Sequence, residues 1–150
     1  MASEGPLTPE ETRRYARHLV LKGFGGAAQQ KLKTARVLVV GAGGLGSPAI
    51  AYLAAAGVGH LSIVDPDTVS LSNLQRQVIH TTAAIGTGKA ESAGAFAGAL
   101  NPHVALGLHA EAITEANAHH LIGDADIVLD GTDNPVSYTH LRAHETKANL

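Results

Sequence analysis

Gly41, Gly43 and Gly46 stand in the spacing G-x-G-x-x-G, and Asp65 closes the apolar run that follows them. Glycines so spaced let a chain turn tightly, let backbone amides approach a phosphate, and let the next helix pack on its strand. The free N–H groups and the dipole at that helix's start favour a negative ligand. A carboxylate about 20 residues further on is placed to take both ribose hydroxyls. This is nucleotide chemistry, and a dinucleotide is the default ligand of such a unit. The residues downstream point elsewhere. Asn73-Leu74-Gln75-Arg76-Gln77 puts a guanidinium just past the carboxylate, Lys89 adds a second cation, and Asp133 follows. Two cations and a further acid suit a triphosphate with Mg²⁺ better than NAD, whose pyrophosphate needs less neutralisation. The segment IGTGKA is not a P-loop, because positions 83 and 90 are both alanine where glycine and Ser or Thr are needed.

The elements that must position these residues are legible in the same stretch. Val37 to Val40 form a continuous apolar, largely β-branched run, as a strand buried on both faces of a parallel sheet requires. Pro48 suits the first turn of a helix running through Ala49 to Ala56, Gly57 and Gly59 end it, and Leu61 to Val64 make a second strand. Upstream, Thr8 to Leu21 opens with Thr-Pro-Glu-Glu, a capped helix start, and Ala27 to Leu32 predicts a short second helix. Pro66 to His80 is too polar for core and reads as a long functional loop. Gly88 to Leu100 predicts a helix, His103 to His109 a strand, Thr114 to Ile122 a helix and Asp126 to Asp130 a fourth strand. The order implies an α/β fold, a Rossmann-like parallel sheet with helices on both faces, cut off after its fourth strand. The glycine turn, Asp65 and the residues from Asp130 to Asn134 then share the carboxyl edge.

The 150 residues carry a formal charge of −2, which gives no general attraction to nucleic acid or anionic membranes. No run approaches the ~18 apolar residues of a membrane span, and no basic-then-apolar leader opens the chain, so a cytoplasmic location is expected. With no cysteine there is no thiolate zinc site in this sequence, and any thioester or persulfide step would need a thiol from elsewhere. His119-His120 and the pair His140 and His144 are expected to be surface residues, since two histidines do not make a zinc site.

At this point the residues resemble a family. RYARHLVLKGFG, VLVVGAGGLGSP, LSIVDPDTVSLSNLQRQ, IGTGKAES, NPHV and VLDGTDN are similar to the N-terminal half of the MoeB/ThiF adenylyltransferases, relatives of ubiquitin-activating enzymes. The combination D-x-D-x-V-x-x-S-N-L-x-R-Q, a following G-x-x-K and a strand ending in T-D-N carries the resemblance; the glycine turn alone would be weak. The resemblance implies that Gly41, Gly43, Gly44 and Gly46 cradle ATP phosphates and that Asp65 holds the ribose. It implies that Ser72, Asn73, Leu74, Gln75 and Arg76 line the nucleotide, with Lys89 on the phosphates and Asp133 on Mg²⁺ beside Asn134. Arg17 would reach the ATP of the other subunit of a homodimer. The implied reaction is attack by the C-terminal glycine carboxylate of a ubiquitin-like sulfur carrier, ending in Gly-Gly, on ATP. The acting residues would be Arg17, Arg76, Lys89 and Asp133. Members of the family commonly hold a structural Zn²⁺ on Cys-x-x-Cys pairs downstream of this stretch.

Two other readings remain open. The glycine turn and Asp65 equally permit an NAD-dependent oxidoreductase, which gives no role to Arg76, Lys89 or Asp133. A non-catalytic activating-enzyme subunit would keep the fold and lose nucleotide contacts. The expected organisation is N-terminal helices over 1–34, an incomplete ATP-binding domain over 35–134, and a tail over 135–150 that breaks the pattern and looks foreign to the domain.

Overall fold

A computed structural model describes residues 5–133. Four strands, β1 (Arg36–Val40), β2 (His60–Val64), β3 (Ala105–His109) and β4 (Ile127–Asp130), form one sheet in the order β3-β2-β1-β4. Every pairing is parallel. The chain runs outward from β1 to β3 and then crosses back to place β4 on the other side of β1, so the strand order reverses between β1 and β4. Such a reversal opens a crevice beyond the carboxyl ends of the strands.

Helices cover both faces. Val37 and Val39 of β1 point into a core with Leu61, Ile63 and the buried sides of α4 (Gly46–Ala56) and α5 (Lys89–Leu100). Leu38 and Val40 point the other way, against Val64 and Ala118 and Leu121 of α6 (Glu115–Ile122). The alternation explains why this strand is apolar at every position: each fully buried aliphatic side chain contributes about 1.5–3 kcal/mol, and both faces are used. Gly57 ends α4 with φ +84°, the left-handed conformation that favours glycine. Thr114 caps α6 through a reciprocal pair of hydrogen bonds with Asn117. At β4, Ile127 and Leu129 remain exposed and Val128 half-buried.

The N-terminal stretch departs from the single helix expected over Thr8 to Leu21. It forms α1 (Pro9–Arg14) and α2 (Ala16–Leu19), broken at Tyr15, whose ψ is 15°. Tyr15 is buried, its ring seated over Gly57 and its hydroxyl accepting from Asn101 Nδ2 at 2.8 Å. A third helix, α3 (Gly25–Thr34), is longer than the expected Ala27 to Leu32 at both ends. Its Gln29 accepts at Oε1 from His18 Nδ1 at 2.7 Å and donates from Nε2 to the Ala56 carbonyl at 2.8 Å, which ties α2 to the end of α4. The third strand starts at Ala105 rather than His103, because Val104 N–H turns back to Asn101 O. No helix among the described residues is long and apolar enough to cross a membrane. The expected tail over 135–150 lies outside the described residues.

Candidate nucleotide site

A cleft of about 920 Å³ opens at the strand-order reversal. Its floor is the turn after β1, its walls the ends of β2 and β4 and the loop after Asp65. The floor depends on glycine. Gly41 has φ +94°, and a Cβ on Gly46 would lie 1.8 Å from the Gly41 carbonyl oxygen, so the start of α4 can sit on the turn only without a side chain there. Gly131 closes the packing from the β4 side, where an added Cβ would come within 3.1 Å of Gly46 N. Gly43 and Gly44 differ from these. A Cβ at either would meet only ordinary contacts, 3.5 Å from Gln77 Nε2 or 3.7 Å from Arg76 Cδ, and both residues line the cleft. Their bareness leaves room for something to approach the backbone of the turn; at the start of α4 itself Ser47 N donates to Gly43 O at 2.9 Å and Pro48 has no N–H.

Asp65, 5% exposed, reaches this floor from β2. Its Oδ2 accepts from Ala42 N at 2.7 Å and its Oδ1 from Asp67 N at 2.8 Å. The carboxylate therefore fastens the glycine turn to the following loop while facing the cleft. Each oxygen retains a second lone pair for a hydroxyl.

The loop adds the polar side chains by helical-turn spacing. After the 3₁₀ turn Leu71–Asn73, the amides of Arg76 and Gln77 donate back to Asn73 O at 3.2 and 3.0 Å. Residues three and four apart in such a turn share a face. Asn73, Arg76 and Gln77 accordingly line the cleft, whereas Ser72, Leu74 and Gln75 do not. Ser72 instead bonds Ser70 Oγ at 3.1 Å, and Ser70 donates to Asn73 Oδ1 at 2.8 Å, leaving the Asn73 NH₂ to face outward. Arg76 is exposed, with a 3.4 Å contact to Ser72 O as its one side-chain bond among the described residues. Lys89, at the first position of α5, is buried and ion-paired to the exposed Asp67 at 2.9 Å.

From β4, Asp130 Oδ1 accepts from Thr132 N at 3.0 Å and Thr132 Oγ1 at 2.7 Å, which shapes the turn that carries Asp133 to the cleft. Asp133 is exposed. Asn134 lies outside the described residues. Arg17, exposed on α2, is not among the residues of the cleft.

Three contributors were not among the expected site residues, although two of them, Asp67 and Gln77, stand in the D-x-D-x-V-x-x-S-N-L-x-R-Q motif. Asp67 neutralises Lys89, and Gln77 enters the cleft at the position the turn spacing selects. His80, 5% exposed, bridges Ser92 Oγ and the Ala42 carbonyl, each at 2.8 Å. To donate to that carbonyl the ring carries its proton on Nε2, leaving Nδ1 to accept from the serine. Asp65 and His80 thus hold the two sides of the Ala42 peptide. Spacing of three and four residues from Asn73 identifies Gln77 in the sequence; nothing in the sequence marks His80.

Among charged side chains, Arg76 and Lys89 face Asp65, Asp67, Glu111 and Asp133, so the cleft holds more negative than positive formal charge. Among the described residues no three His, Cys, Asp or Glu side chains form a metal cage.

The ThiF family matches residues 15–146, and the chain belongs to that family. It is 52% identical over 128 residues to a protein of Mycobacterium tuberculosis named "Probable adenylyltransferase/sulfurtransferase MoeZ", covering 85% of this chain and 33% of MoeZ. It is 49% identical over 126 residues to the SAMP-activating enzyme E1 of Haloferax volcanii, covering 83% of this chain and 47% of that one. The chain thus spans between about a third and a half of these relatives' length. Among solved structures, the tRNA N6-threonylcarbamoyladenosine dehydratase TcdA of E. coli, in complex with ATP, superposes with a TM-score of 0.85 at 27% identity, over 91% of this chain and 56% of TcdA. The fold is that of ThiF-like proteins.

Proposed function

We propose that this chain is the ATP-binding half of an enzyme that adenylylates the C-terminal glycine carboxylate of a ubiquitin-like sulfur-carrier protein. One observation carries the reading: the glycine turn, Asp65, Asn73, Arg76, Lys89 and Asp133 come from separate elements and all line one cleft at the sheet's reversal point. The names of the relatives, adenylyltransferase and activating enzyme, support it, as does the ATP complex of a structural neighbour.

In this reading the carrier carboxylate attacks the α-phosphorus of ATP. A P–O bond forms to the carboxylate oxygen, the bond to the bridging oxygen breaks, and pyrophosphate leaves with the electron pair. A carboxylate is already ionised at neutral pH and needs no general base. The protein's work is positioning and neutralisation of charge on the phosphoryl oxygens. Asp65 takes the ribose hydroxyls, the backbone amides of the glycine turn and Asn73 the phosphates, and Arg76 and Lys89 the spreading negative charge. Lys89 exchanges Asp67 for a phosphate oxygen when it does so.

The surplus of carboxylates supports a divalent cation. With Asp133 as the one protein ligand, Mg²⁺ would be completed by phosphate oxygens and water, as is usual for that ion. When bound it supplies charge neutralisation at the phosphates. Arg17 lies outside its own cleft, beside the exposed Val20 and Leu21; we place it in the cleft of a second copy across a homodimer interface.

The test is ligand discrimination by the full chain. ATP with Mg²⁺ should raise its melting temperature, the stabilisation reaching about 2.7 kcal/mol at a hundredfold excess over Kd, and NAD should not. Stabilisation by NAD alone would replace this reading with a dehydrogenase.

A further inference from the structure

His80 lies behind the glycine turn, 5% exposed and outside the lining of the cleft, with both ring nitrogens engaged at 2.8 Å. The carbonyl it meets belongs to the Ala42–Gly43 peptide, a planar trans unit whose C=O and N–H point in opposite directions. The C=O turns inward to the imidazole, so the Gly43 N–H turns outward, on the side where Gly43 lines the cleft. Among the described residues that N–H donates to no other backbone group. Gly43 does not hold this orientation by itself. Rotating the peptide half a turn would bury the N–H and carry Gly43 from its present φ to a positive one, which glycine adopts about as readily. Asp65 secures the preceding peptide through Ala42 N at 2.7 Å, and His80 secures this one. On its far side the ring meets Ser92, three residues after Lys89 on α5 and so on the same face of the helix. The first turn of that helix is closed by Ser92 N donating to Gly88 O at 2.9 Å.

We infer that His80 is a positioning residue for the phosphate site, its imidazole fixing the Ala42–Gly43 peptide with the Gly43 N–H toward the cleft and fastening that peptide to the helix start that carries Lys89. The inference rests on the ATP reading above and deepens it. His80 touches no ligand in this arrangement. It acts through the Gly43 amide on one side and, through Ser92, on the spacing between the turn and the Lys89 ammonium. A flat ring with a donor at one end and an acceptor at the other spans the two without a rotatable bond between them, so the donor is aimed before a ligand arrives.

The test compares ATP with Mg²⁺ against adenosine, by calorimetric titration of the full chain, because a positioning role for the phosphate site weakens the first and leaves the second unchanged. His80→Leu should raise the Kd for ATP roughly 10- to 100-fold, the range for losing a hydrogen bond to a charged group. His80→Gln, whose Nε2 can still donate to the Ala42 carbonyl, should recover most of that affinity. His80→Asn, one methylene shorter and able to meet Ser92 but not Ala42, should bind ATP as weakly as His80→Leu. Wild-type ATP affinity in His80→Leu would overturn the inference, as would an equal loss for ATP and adenosine, which is what a general loosening of the fold gives. Where His80→Leu fails to fold, the polar pair decides: equal ATP affinity in His80→Gln and His80→Asn would overturn the inference. A wild type that binds no ATP would instead remove the nucleotide reading itself, and this assignment with it.

Discussion

Among the described residues, Arg76 and Asp133 are exposed and make at most a weak contact, while Asp65 is buried and holds two backbone amides. The three should therefore fail differently. Arg76→Ala and Asp133→Ala should each lower the adenylylation rate about 10²-fold or more, since they act on charge that develops in the transition state, and leave the melting temperature almost unchanged. Asp65→Ala should weaken ATP binding and also destabilise the fold by about 1–3 kcal/mol, because it strands the Ala42 and Asp67 amides. Rate assays paired with thermal melts of the three variants check this; near-normal rates for folded Arg76 and Asp133 variants would show them to be solvated surface charges. The contrast marks what was legible at this scale. Asp65 is recognisable from its distance to the glycines, but its second task, bracing the turn, depends on how β1 and β2 register. Ser72, Leu74 and Gln75 entered the expected site because a motif is read contiguously, whereas a turn presents every third and fourth residue. Among the described residues the same geometry brings Gln77 in.

Between the elements, α1 is pinned to α3 by one buried ion pair. Glu11 Oε2 accepts from Lys33 Nζ at 2.7 Å and from the Thr8 amide at 2.8 Å, both charged residues lying about 5% exposed. Burial pushes the Glu11 carboxyl upward, but the Lys33 ammonium and the Thr8 hydrogen bonds outweigh it and leave the group below its ordinary value. A carboxylate lowered in the folded state contributes stability that is fully present above its unfolded pKa and is lost as pH falls through the folded one. Acid should therefore weaken the docking of α1 only below about pH 4.5, and Glu11→Gln should flatten that limb of the stability–pH curve. Lys33→Met leaves the carboxylate buried and unpaired and should cost about 3–5 kcal/mol at neutral pH. Chemical denaturation across pH measures both; a Lys33→Met protein as stable as the wild type would contradict the account. The sequence showed the Thr8 cap plainly, since its partner is three residues away. The break at Tyr15 was hidden, because its cause is Asn101 and Gly57, residues brought near only by the sheet.

At the scale of the molecule, strand existence and helix placement followed from apolar runs and glycine punctuation, whereas the order β3-β2-β1-β4, with β4 returning to the far side of β1, comes from the structure. The reversal beside β1 gathers residues from positions 41 to 133 at one edge, so a site scattered through the sequence becomes one cleft. What pattern alone left open was the ligand, because a glycine turn and a ribose carboxylate serve NAD and ATP alike. The proposed ATP reading rests on the cleft's composition and on the family: a surplus of carboxylates that a metal–triphosphate complex fits, and two cations, the exposed Arg76 and the buried Lys89, that have no role in hydride transfer. The most direct measurement is isotope exchange between pyrophosphate and ATP by the protein with a ubiquitin-like carrier ending in Gly-Gly. The account predicts exchange that requires the carrier, is abolished by deleting its terminal glycine, and is lost in Asp133→Ala. Carrier-independent reduction of NAD with no pyrophosphate exchange would contradict it.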